Sequence, residues 1–79
     1  MPNPARDVVR IGYAIPEAGA VRLSVYDLMG REISVLVDGV VPAGPHTATW
    51  DGGSLSAGVY VYRLEANGIV RTRMVTLAR

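Results

Sequence analysis

The chain has 79 residues, no cysteine, one histidine and a net charge of +1. That length makes one small domain. The missing thiols exclude disulfides, Cys-based zinc sites and thiol nucleophiles, and the near-neutral charge argues against non-specific nucleic-acid binding. Twelve Val, four Ile, four Tyr, four Thr and one Trp favour strands, and nine Gly and five Pro supply turns between them. No apolar run approaches the roughly 18 residues of a membrane span. Residues 1–6 lack the charged start and apolar stretch of a signal peptide, so any export signal lies elsewhere or in this chain itself.

Period-2 alternation recurs in six segments, and none has a helical period. The first predicted strand, Val8–Ile15, puts Val9, Ile11, Tyr13 and Ile15 on one face, with Gly12 marking a bulge or a close backbone approach. After a turn at residues 16–19, the second strand (21–27) alternates Val21, Leu23 and Val25 against Arg22, Ser24 and Tyr26. Asp27-Leu28-Met29-Gly30 fits a type I turn. The third strand (32–37) sets Ile33, Val35 and Val37 against Glu32, Ser34 and Leu36. Residues 38–45, with two Gly and two Pro, read as a loop crossing between sheets.

A short fourth strand (46–50) ends at the Asp51-Gly52-Gly53 turn. The fifth (59–66) places Tyr60, Tyr62 and Leu64 on one face, and Asn67-Gly68 is a strong hairpin signal. The sixth, Ile69–Leu77, returns antiparallel, and its alternation slips between Met74 and Val75, suggesting a bulge. A seventh short strand is available from residues 3–6 or 40–42. Residues 55–60 have the look of a tyrosine corner, with Gly58 leading into Tyr60. The expected fold is therefore an all-β, immunoglobulin-like antiparallel β-sandwich of six to seven short strands. Its expected core is Val9, Ile11, Leu23, Val25, Trp50, Tyr60 and Leu64.

The inventory for chemistry is thin. His46 has no recognisable nucleophile among the four serines, and reads as a structural residue closing the Gly44-Pro45 turn. Asp27, Asp38 and Asp51 each stand near a turn glycine. A calcium site is the sharper reading and Asx-type turn bonding the simpler one. Trp50 reads as a core plug, and Tyr26 as either structural or part of a sugar-stacking platform. No cofactor is expected. From residue 66 to 79 there are three arginines, Arg71, Arg73 and Arg79, and no acid. Two readings stand: an edge strand protected against aggregation, or a face offered to a partner.

Taken together, Asn3-Pro4, residues 13–19, residues 25–33, Pro42-Ala43-Gly44-Pro45-His46, Trp50-Asp51-Gly52, residues 56–60 and Tyr62-Arg63-Leu64-Glu65 resemble one family. It is the type A C-terminal sorting domain of the Bacteroidetes-type type IX (Por) secretion system, itself similar to the immunoglobulin-like domain of the flagellar hook-capping protein. The resemblance spans essentially the whole chain, with residues 1–5 as a linker or added start and 6–79 as the domain. It implies a non-catalytic module at the end of a larger secreted enzyme or adhesin. The implied partners are the outer-membrane translocon, a surface sortase that removes the domain, and the catalytic or adhesive region upstream. The implied location is the cell surface or medium, reached through the periplasm and outer membrane. It further implies that Arg79 is the natural end of the chain and that Arg71, Arg73, Val75, Leu77 and Arg79 face a partner. The family's terminal strand commonly carries Lys in this segment. Arg here keeps the charge but changes the donor geometry. The alternative function is a structural or carbohydrate-binding accessory domain of a secreted polysaccharide-degrading enzyme.

Overall fold

The computed structural model describes residues 8–78. These form six strands: β1 (Val8–Ile15), β2 (Gly19–Tyr26), β3 (Glu32–Val41), β4 (Gly44–Asp51), β5 (Gly58–Ala66) and β6 (Ile69–Leu77). β1 and β4 pair antiparallel as a two-stranded sheet, and the other four form an antiparallel sheet in the order β3-β2-β5-β6. The chain changes sheet after β1, after β3 and after β4, so the small sheet closes over the large one as an immunoglobulin-like sandwich.

Alternation accounts for the core. Ile11, Ala48 and Trp50 face inward from the small sheet and meet Leu23, Val25, Tyr60 and Leu77 of the large one. Val9 and Leu64, both expected inside, are only partly buried and pack against the rim of this cluster. Burying an aliphatic or aromatic side chain of this size is worth about 1.5–3 kcal/mol, so a few such groups carry a large share of a small domain's stability. β2 is the central strand, and there even the outward residue Ser24 is fully covered.

Several expectations require correction. Residues 38–45 are not a loop, because β3 continues to Val41 and β4 begins at Gly44, leaving only Pro42 and Ala43 between them. The backbone of Asp38 to Val41 stays paired with that of Arg22 to Gly19, and Pro45 is tolerated because, among the described residues, β4 has a neighbour on one side only. This connection does cross between sheets, as expected, and residues 40–42 supply no separate strand.

The strict alternation of β3 also fails. Leu23 pairs with Val37 but Ser24 with Val35, and Val25 pairs with Ser34 but Tyr26 with Glu32, so Leu36 and Ile33 are extra residues. Each bulge lets two residues oppose one. Ile33, Leu36 and Val37 all reach the core, while Val35 turns outward at 43% exposure. The bulge expected in β6 is absent, since its pairing runs unbroken from Gly58↔Leu77 to Ala66↔Ile69. Gly12 marks no bulge either. β1 and β4 stay in register throughout, and a Cβ on Gly12 would meet only an ordinary 4.0 Å contact. The candidate strand at residues 3–6 and the terminal Arg79 lie outside the described residues.

Candidate functional site

The terminal hairpin is built by its turn. Asn67 (φ 53°) and Gly68 (φ 75°) both adopt positive φ, the signature of a two-residue type I′ turn whose twist matches the flanking strands. A two-residue turn fixes the register, so Leu64 lies opposite Arg71 and Tyr62 opposite Arg73. Residues directly opposite share a face. Leu64 and Tyr62 lean on the core, so both arginines stand on the inner face of the large sheet. Their side chains are nonetheless exposed. Over this outer part of the sheet only β1 comes near, leaving a groove between β1 and β6.

Charge and placement together mark these two arginines. Arg22 pairs with Glu32 at 2.7 Å, Arg31 with Asp27 at 3.1 Å, and Arg63 lies 3.7 Å from Glu65. Among the described residues, Arg10, Arg71 and Arg73 have no carboxylate partner, and of these three only Arg71 and Arg73 share one face of one strand. Spaced two apart on one face of a strand, they sit about 7 Å from each other and add their fields.

The other residues predicted to face a partner divide. Val75 is half-buried and packs on the core, and Leu77 is 1% exposed within it. Leu77 is also where the turn after β4 comes closest. A Cβ on Gly52 would lie 2.8 Å from its side chain, so a larger residue there would force Leu77 to shift.

The remaining singled-out residues make contacts within the fold. Trp50 is 1% exposed and meets Tyr60 edge-on, with ring centroids 5.2 Å apart, so it offers no stacking platform. The Tyr60 hydroxyl donates to the Ser56 carbonyl at 2.6 Å, the back-bond of a tyrosine corner. His46 Nε2 reaches the Pro42 carbonyl at 2.6 Å while its ring stacks on Tyr13. It therefore ties the chain across the Pro42–Pro45 corner. Tyr26 is half-buried beside Ser24 and Glu32.

Asp27 organises the β2–β3 turn. Its Oδ1 accepts from the Met29 and Arg31 backbone N–H groups, both at 2.9 Å, its Oδ2 from Arg31 Nε, and its carbonyl from Gly30 N. The Arg31 backbone N–H does most to hold the carboxyl below its ordinary 3.8. Partial burial opposes the shift, and the Arg31 guanidinium and Met29 N–H add to it. Asp51 accepts from Gly53 N at 3.0 Å, an Asx turn, and Asp38 lies 4.0 Å from Arg22. Among the described residues no three His, Cys, Asp or Glu side chains converge on a metal-sized site, and no helix is long and apolar enough to cross a membrane.

Sequence reasoning missed the groove, because alternation says nothing of how far one sheet overhangs another. The inward placement of the arginines had a signal. Asn-Gly dictates a two-residue turn, and counting back from it puts Arg71 against Leu64. No curated protein matches the chain. A family model for the secretion system C-terminal sorting domain, however, matches residues 1–77, which takes in both sheets and the hairpin that ends in β6. The chain therefore belongs to the type IX secretion C-terminal sorting domain family, and its role is that of a C-terminal signal for export to the cell surface or medium.

Proposed function

We propose that this domain works without catalysis, as the address of a larger enzyme or adhesin, and that the outer-membrane translocon reads its terminal hairpin. A surface sortase then acts on the delivered cargo. The observation that supports this reading is the pair Arg71 and Arg73, two cations without carboxylate partners on the last strand of a domain belonging to a sorting family. A charge left unpaired at a surface steers encounter with an oppositely charged partner and fixes register more than it adds to the fold. Val75 and Leu77 contribute by anchoring the strand that presents the arginines, and Arg79 adds a third cation to the address.

The test is export of a periplasm-targeted reporter fused ahead of this domain in a host with the secretion system. The wild-type fusion reaches the surface or medium. The Arg71→Ala, Arg73→Ala fusion stays in the periplasm while circular dichroism shows it folded, and Arg22→Ala on β2 is exported normally. Export of the folded double variant at wild-type level shows that the translocon reads another surface.

A further inference from the structure

Among the described residues, β1 pairs with β4 on one side and with nothing on the other. Along that free edge run two depressions of about 240 and 320 Å³ that share Ala14, Leu64 and Arg71, and so form one continuous groove. It follows the chain from Gly12 in β1 to Pro16 just beyond the strand, a length of ~16 Å for an extended chain. Its floor is the inner face of the hairpin: Leu64 and Tyr62 half-buried, Ile69 53% exposed, with Arg71 and Arg73 at its outer side. None of the residues lining it is acidic.

We propose that this open flank docks an extended, acidic segment of a partner protein, which adds to β1 as a third strand of the small sheet and sets its carboxylates against Arg71 and Arg73. Three observations carry it. A strand with one free side leaves every second residue's N–H and C=O turned outward, a template for strand addition. The apolar floor decides between the two free edges on this flank. A strand added to β6 would extend the large sheet and leave Leu64, Tyr62 and Ile69 uncovered, whereas one added to β1 lies directly over them. The charge decides the occupant, because two unpaired guanidiniums beside the groove match carboxylates alternating with apolar side chains along a strand. The proposal rests on the sorting reading only for where such a partner is met, namely in the export machinery.

The probe is a blocked peptide of about eight residues alternating Val and Glu, titrated into the isotope-labelled chain and followed by NMR. Amide shifts are expected along residues 12–15 of β1 and 69–73 of β6. Affinity should fall about tenfold or more in Arg71→Ala, Arg73→Ala. It should also fall in Ile69→Glu, which brings a carboxylate to the groove without touching the core. Exchanging the peptide's Glu for Lys, or alternate Val for Pro, should abolish binding. No binding at millimolar peptide overturns the proposal, as do equal affinity for the Lys peptide and shifts confined to β3 or to Val70, Thr72 and Met74. Concentration-dependent shifts at the groove without peptide would assign it to a second copy and likewise overturn it. The two readings fail separately. A reporter that the wild-type domain cannot export sinks the sorting reading whatever the peptide does, and an exported reporter with a silent groove sinks only this one.

Discussion

Tyr60 does two things at once: its ring closes against the edge of Trp50, and its hydroxyl holds the Ser56 carbonyl. Trp50 has only the packing role, but it is the largest fully buried side chain. Trp50→Ala should therefore cost about 3–5 kcal/mol through cavity formation. Tyr60→Phe, which keeps the ring, should cost only the net worth of a hydrogen bond, about 0.5–1.5 kcal/mol. Urea denaturation separates the two, and equal midpoints would place the stabilisation in the corner and not in the ring. Asp27 gives a pH signature. Its carboxyl is depressed in the folded state, so its contribution is complete above the ordinary 3.8 and disappears as pH falls below that through the lowered value. Asp27→Asn should flatten the acid limb of the stability profile in that window and leave its shape near neutrality unchanged. An unaltered acid limb would show that the turn is held by its backbone bond alone.

At the level of elements, the legible parts are those where local chemistry alone decides. Asn67-Gly68 dictates its hairpin, Asp27 and Gly30 their turn, and the alternation of β1, β2 and β5 their inward faces. β3 is different, because its twist is set by β2 beside it and by the core beneath. The two bulges that bring Ile33 and Leu36 inward leave no mark in a pattern that reads as regular alternation. Its last residues looked like a loop because Gly39 and two prolines stand nearby, yet on an edge strand those residues cost little. A pair of variants tests the bulged register. Leu36→Ser should destabilise by about 1–3 kcal/mol, and Val35→Ser, at an outward position, by no more than about 0.5 kcal/mol. Strict alternation makes the opposite forecast, so a reversed order in the denaturation midpoints would restore it.

For the whole molecule, the division into two strands over four shapes both stability and recognition. Sequence periodicity cannot show which strands share a sheet, since that depends on pairings between segments far apart in the chain. The open flank beside β1 was therefore the least readable feature. The same geometry puts the end of β6 inside the fold. Leu77 lies opposite Gly58, is buried with Trp50 and Tyr60, and sits against the glycine turn that follows β4. The strand that displays Arg71 and Arg73 is thus also the one that closes the core, and shortening the chain removes both functions together. Leu77→Ala should lower stability by about 2–5 kcal/mol. Removal of residues 73–79 should abolish cooperative unfolding, because β5 then loses its pairing partner from Gly58 through Tyr62. Arg71→Ala with Arg73→Ala, which touches only exposed side chains, should move the denaturation midpoint by no more than about 0.5 kcal/mol. Loss of export in the shortened chain would therefore report unfolding, and loss in the double variant would report recognition. A truncated chain that still unfolds cooperatively would show that β6 is dispensable for the core.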